Sequence, residues 1–216
     1  MAQTKVLSFD MDGTVTDLAF VDSVWLEGIP RLYAQKHKLP LEEAKTRVKT
    51  EYDKVGRERL EWYDLNHWAN KFGLVISPGE ILGSFQHEIR VFPEVPSVIE
   101  AFKKRGFRLI VVSNARREFL NLELDKTGIK SCFERVFSST SDFGLTKKTV
   151  DLYQKVCSIC GVSPGEMAHV GDDLSFDFEV PRELGIKAFY LDRTGLTSGE
   201  SVIHDLRELE ERVSSE

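Results

Sequence analysis

Two aspartates stand two residues apart, Asp10 and Asp12, at the end of a short apolar run and directly before Gly13 and Thr14. In a chain still extended at that point, residues i and i+2 share a side. Both carboxylates then face one place, while Gly13 lets the backbone turn sharply away beneath them. Two close carboxylates suit different tasks: one stays ionised as a metal ligand and nucleophile, and the other, its pKa raised by its neighbour, holds a proton for a leaving group. Asp-x-Asp alone serves loop solvation or capping as readily as catalysis, but a buried strand before it and Gly-Thr after it favour catalysis. A second acidic group, Gly171-Asp172-Asp173 with Asp177, offers hard oxygen donors without a neighbouring His or Cys pair, a set that favours Mg2+ over zinc. Asp173 and Asp177 also stand where either could N-cap the helix that follows.

Ser113 and Asn114 close the apolar run Leu109-Ile110-Val111-Val112. A hydroxyl there, together with the amides of the turn, can donate to an anionic oxygen. The plainer role is to cap the next helix, which Asn114 can fill while Ser113 does chemistry. Lys147 and Lys148 lie in the loop before Leu152, Tyr153 and Val156, and a lysine beside acidic strand ends can neutralise a phosphoryl group as a point charge. Cys157 and Cys160 match Cys-x-x-Cys but close a helix before Gly161, away from the N-terminal dipole that would lower a thiol pKa. His169, inside an apolar run, reads as a buried, hydrogen-bonded histidine.

The elements that must hold these residues follow from periodicity. Val6–Phe9, Arg108–Ser113, Arg135–Ser138, Met167–Val170 and Lys187–Leu191 are short apolar strands, separated after Val91 by helical patterns such as Glu118–Thr127, Thr149–Cys160 and Glu179–Leu184. This rhythm predicts an α/β fold with a doubly wound parallel sheet, Rossmann-like, in which ligands bind outside the carboxyl ends of the strands. Asp10, Asp12, Ser113, Asp172 and Asp173 fall at those ends. Their crowded negative charge needs a divalent cation or shared protons to relieve it. Residues 16–90 instead carry helical spacing throughout, including Leu41–Val55 and Leu60–Phe72, and are close to electrically neutral. The expected division is therefore a discontinuous α/β core of residues 1–15 and 91–216 with an all-helical insertion of residues 16–90. A last helix, Val202–Val213, should pack Leu206, Leu209 and Val213 on the sheet edge, with Ser214–Glu216 frayed.

Composition narrows the class. With 216 residues, 41% hydrophobic and 30% charged, the chain has the balance of an ordinary globular protein. No apolar run approaches the roughly 18 residues of a membrane helix, and Met1–Lys5 leads into a strand with no apolar signal core. Three cysteines cannot all pair within one chain, so the expected setting is the cytoplasm, with the thiols reduced. A net charge of -6 gives no general attraction to nucleic acid or to an anionic membrane surface.

In order, Asp10-Met11-Asp12-Gly13-Thr14, Ser113-Asn114, Lys147 and Gly171-Asp172-Asp173-x-x-x-Asp177 resemble the motifs of the haloacid dehalogenase (HAD) superfamily, mostly Mg2+-dependent phosphatases. The resemblance spans the whole sheet, from Val6 to about Leu191. It implies that Asp10 attacks phosphorus to form an aspartyl phosphate, and that Asp12 protonates the leaving alcohol and then activates water. It implies that Ser113, with Asn114 and a lysine, binds the phosphoryl group, and that Mg2+ is held by Asp172, Asp10 and the main-chain carbonyl of Asp12, with Asp177 or Asp173 completing the shell. The family usually has a bulky residue six positions after its lysine, and Tyr153 stands six after Lys147, which favours Lys147 over Lys148. Two departures are Lys148-Thr149 where proline often follows the lysine, and Val180-Pro181 where small residues are common.

The helical block falls where one subgroup of the superfamily inserts a cap that closes over the site and sets specificity. From it, Arg57 and Arg59 are the candidates to meet the substrate, although they could also pair with Glu58 and Glu61. The resulting expectation is a phosphoric monoester hydrolase acting on a small phosphorylated metabolite, without nucleic-acid or membrane partners, as a monomer or homodimer. Haloacid dehalogenase chemistry has no alcohol to protonate, so Asp12 argues against it. A phosphomutase would keep both aspartates, and a receiver-like regulator would place its acceptor after the third strand and lack the insertion.

Overall fold

The computed structural model describes residues 3–213, so the expectation for Ser214–Glu216 lies outside the described residues. Six strands, β1 (Val6–Phe9), β2 (Arg108–Ser113), β3 (Arg135–Ser138), β4 (Met167–Gly171), β5 (Lys187–Leu191) and β6 (Val202–Ile203), form one sheet in the order β3-β2-β1-β4-β5-β6. Every pairing is parallel. Alternation sorts the strand side chains onto two faces: Leu7, Phe9, Leu109 and Val111 point to one, and Val6, Ile110 and Val112 to the other. Helices cover both faces, which is why these strands read as nearly unbroken apolar runs. Val95–Lys104 and Arg117–Thr127 pack on the first face, and Val150–Cys160 on the second.

The end of the chain departs from the single helix expected at Val202–Val213. Val202 and Ile203 extend the sheet beside Tyr190 and Leu191, and the Asp192 amide donates to the Ile203 carbonyl. Without that strand, β5 would present an unpaired edge. Asp205 and Glu208 then form a capping box, and only Leu206–Glu208 and Leu209–Arg212 are helical. Leu206, Leu209 and Val213 are nevertheless buried in the main core.

Between Thr16 and Arg90 lies a separate helical layer. A nearly continuous helical run from Ala19 to His37 is followed by helices Leu41–Val55, Leu65–Phe72 and Pro78–Phe85, and their shared core includes Phe20, Val24, Ile29, Val48, Trp68 and Ile81. One aromatic residue of the α/β part, Phe119, joins that core. The two strands of chain that enter and leave the layer meet in an antiparallel bridge between Thr16 and Val91. No described helix is long and apolar enough to cross a membrane.

Candidate active site

The strand order reverses direction at β1 and β4, where a doubly wound sheet opens a crevice at its carboxyl edge. Asp10 follows β1 and Asp172 follows β4, so neighbouring strands deliver both carboxylates to that crevice. Asp10, Asp172 and Asp177 each present a carboxylate oxygen, all within 4.8 Å of one another. Burial pushes the Asp10 carboxyl well above its usual range, against the opposing pull of Lys148 and with further upward pressure from Asp177 and Asp172. Burial and the Asp177 charge likewise push Asp172 up to about 6. The site thus holds more negative charge than its one buried lysine balances.

That lysine is Lys148. Its side chain is almost wholly buried, and its Nζ sits 2.7 Å from Asp10 Oδ1 and also against Asp177 Oδ1. Lys147, which the spacing to Tyr153 favoured, points away and pairs with exposed Glu58 at 2.7 Å. Adjacent side chains leave the backbone in different directions, so only one could enter the crevice, and a six-residue spacing carries no information on which. Thr149, which stands where proline is usual, caps the helix that begins at Val150 by accepting from the Leu152 amide. Tyr153 is buried in that helix, and its hydroxyl donates to the Phe176 carbonyl.

Asp177 is committed to protein partners. Its Oδ1 accepts from Lys148 and from His169 Nε2 at 2.9 Å, and its Oδ2 accepts from the Asp173 amide at 3.1 Å. Burial raises its carboxyl, but the Lys148 charge and the His169 hydrogen bond outweigh this and hold it at about 2. His169 is buried, which lowers its pKa. A carboxylate only accepts, so the neutral ring donates from Nε2 and takes the Ser8 hydroxyl proton's hydrogen bond at Nδ1, 2.9 Å away. Asp173 is a helix cap, accepting at one oxygen from the Ser175 and Phe176 amides. It opens the π-helical turn Leu174–Glu179, after which Pro181 is tolerated at the start of the short helix Val180–Glu183.

This arrangement fits a hard cation. Among the described residues, Asp10 and Asp172 retain carboxylate oxygens with no protein donor, and the Asp12 carbonyl accepts no backbone hydrogen bond. All three are oxygen donors, as Mg2+ requires. The glycines nearby make the close approach possible. Gly13 has φ +77°, and a Cβ there would land on the Asp172 carboxylate; one on Gly171 would land on the Asp177 carboxylate.

Asp12 occupies a different setting. Its Oδ1 is buried without a hydrogen-bond partner, and burial pushes its carboxyl up to about 6. Desolvation, and not the neighbouring aspartate expected from the Asp-x-Asp spacing, is the main cause of this rise. The carboxyl that interacts with Asp12 is Glu123, itself fully buried, pushed upward by burial and by the Asp12 charge, and hydrogen-bonded to the Thr16 hydroxyl at 2.9 Å. Glu123 was missed in the sequence. It was detectable as an acid within the buried stripe Phe119, Leu120, Leu124 of one helix.

Ser113 and Asn114 lie at the end of β2, on the far side of β1 from Asp172. Ser113 Oγ accepts from the Ala115 amide at 3.1 Å, leaving its own proton free to donate elsewhere. Asn114 Oδ1 accepts from the Ser139 hydroxyl at 2.6 Å, and Asn114 lines a cavity of about 460 Å3 between the helical layer and the sheet edge. Asp12 lies at this cavity, with Trp25, Trp62, Phe119 and Arg57 among its walls. Arg59 does not line it and pairs with Glu61 at 2.6 Å. A larger groove of about 610 Å3, between Tyr33 and Phe72 on the helical layer, contains none of the strand-end acids. The Cys-x-x-Cys thiols are both buried, and burial pushes Cys157 up to about 11, so neither is set for redox or metal chemistry at neutral pH.

Comparison with known proteins points the same way. A family model described as haloacid dehalogenase-like hydrolase matches residues 4–185. Among curated relatives, the GMP/IMP nucleotidase YrfG of Escherichia coli is 27% identical over 82% of this chain and 78% of its own length. A phosphoglycolate phosphatase of Aquifex aeolicus is 28% identical over 85% of this chain and 82% of its own. Among solved structures, a HAD phosphatase from Thermococcus onnurineus superposes with a TM-score of 0.86 at 25% identity, covering 99% of both chains.

Proposed function

The chain belongs to the haloacid dehalogenase-like hydrolases, and from that premise we propose that it is a Mg2+-dependent phosphatase that cleaves a small phosphorylated metabolite through an aspartyl phosphate on Asp10. The observation that carries this reading is the convergence of Asp10, Lys148 and Asp172 at one crevice, with Asp12 beside them at the floor of a substrate-sized cavity. The relatives that act on GMP, IMP and phosphoglycolate by name support a phosphomonoester as substrate.

In this reading Asp10 is the nucleophile. Its carboxylate attacks phosphorus, and Lys148 balances its charge before the reaction and the charge on the phosphoryl oxygens during it. The Ser113 hydroxyl and the Asn114 amide donate to the same oxygens. Asp12, which near neutral pH can both hold and release a proton, gives one to the leaving alcohol oxygen and takes one from the water that then attacks the phosphoryl group. Mg2+ would be held by Asp10, Asp172 and the Asp12 carbonyl, and when bound it screens the anionic substrate from the carboxylates. Asp177 holds Lys148 and His169 in place and steadies the turn at Asp173. Residues 16–90 act as the cap over a core of residues 1–15 and 91–216, and the paired crossing at Thr16 and Val91 is where the cap would hinge. The test is release of p-nitrophenolate from p-nitrophenyl phosphate. It is expected with Mg2+ and should fall to background with excess EDTA; equal rates in both would refute the metal-dependent reading.

A further inference from the structure

Aromatic side chains, Trp25, Tyr52, Trp62, Tyr63 and Phe119, line much of the cavity at Asp12. Trp25 lies nearly parallel to Phe119, with ring centroids 5.7 Å apart and planes 13° apart, and Trp62 continues the stack at 6.3 Å and 28°. Trp25 and Trp62 belong to the helical layer and Phe119 to the α/β part, so the stack crosses the seam between them. Arg57 covers the Trp62 ring, its guanidinium carbon 5.4 Å from the centroid. The charged groups at the cavity are of mixed sign. Asp22 has no hydrogen-bond partner for its carboxylate among the described residues, while Arg116 is already paired with Asp64 at 2.9 Å.

Resting on the phosphatase reading above, we infer that the preferred substrate is a nucleoside monophosphate, its base packed against the aromatic wall of Trp25 and Trp62 that lines the cavity and an N–H of the base donating to Asp22. Four features support this. Aromatic side chains and the planar Arg57 guanidinium both offer flat surfaces on which any nucleobase packs. The negative faces of the same rings, together with Asp12 and Asp22, disfavour the carboxylate of a short acidic phosphomonoester. The Asp22 carboxylate, three residues before Trp25 on the same helical run, offers an acceptor beside the aromatic wall for the N–H donors of a base. The volume, about 460 Å3, also lies within the range of pockets that enclose a molecule of nucleoside size and far exceeds a two-carbon acid.

The experiment compares kcat/KM for GMP, 2-phosphoglycolate and p-nitrophenyl phosphate in the wild type, Trp62→Ala and Trp62→Phe, all with Mg2+. GMP should exceed 2-phosphoglycolate by at least about tenfold, and Trp62→Ala should shrink that preference by about tenfold, mainly through KM for GMP. Trp62→Phe, which keeps a flat ring, should recover most of it. A preference for 2-phosphoglycolate, or a GMP preference that is the same in Trp62→Ala, would overturn the inference while leaving the phosphatase reading intact. Failure of the wild type to cleave any of the three, the ring-bearing reporter included, would overturn both.

Discussion

Replacing Asp10 with asparagine is expected to reduce phosphate release by at least about 10^4-fold, to the level of the assay blank. The amide has nearly the shape of the carboxylate, and its oxygen can still accept from Lys148, so the substitution removes nucleophilicity with little change in packing. The crevice also keeps a partner for its lysine, because Asp177 holds Lys148 independently of Asp10. A thermal unfolding scan should therefore find the variant folded. Activity near the wild-type level in a folded Asp10→Asn protein would mean that another group attacks phosphorus.

The second large effect belongs to Lys148. In Lys148→Met, Asp10 and Asp177 would face each other in the buried crevice without the cation that both contact, and only neutral donors, the His169 ring and the Asp173 amide, would remain on Asp177. Removing one partner of a buried ionic group costs about 3–5 kcal/mol, because the charge left behind is uncompensated. Urea unfolding should record a loss of that order, and phosphate release should disappear with it. Lys147→Ala is the matched comparison. Its ion pair with Glu58 is exposed, and such pairs contribute at most about 1 kcal/mol, so both stability and turnover should stay close to the wild type. If Lys147→Ala were the damaging substitution and Lys148→Met the mild one, the assignment of the phosphate-binding lysine would be reversed.

The two lysines mark the boundary of what the sequence could reveal. The alternation of short apolar strands with helical periods was enough for a parallel α/β sheet, and strand ends were enough to gather Asp10, Asp12, Ser113 and Asp172, because β-strand direction fixes where each run must open. What was not legible depended on side-chain direction within a loop or on contacts between distant segments. Lys147 and Lys148 are chemically equal until the chain around Thr149 is built. Glu123 lies more than a hundred residues from Asp12, and nothing local says that the two carboxyls meet. In the sequence Asp177 reads as a metal ligand or a helix cap, and nothing local shows that its Oδ1 also meets Lys148 and His169, from two other elements. The edge strand Val202–Ile203 is hidden in the sequence because the apolar spacing of Leu206, Leu209 and Val213 behind it is helical, and two strand residues are too few to show alternation.

The covalent step is tested most directly in Asp12→Ala with p-nitrophenyl phosphate. This leaving group departs without needing a proton, so attack by Asp10 should survive, whereas the following hydrolysis loses the carboxylate that activates water. The expected result is a burst of about one p-nitrophenolate per enzyme molecule followed by slow turnover, with an acid-quenched peptide containing Asp10 carrying one added phosphoryl group. Steady turnover at the wild-type rate, with no burst and no phosphoryl group on that peptide, would contradict a phosphatase built on Asp10 and Asp12.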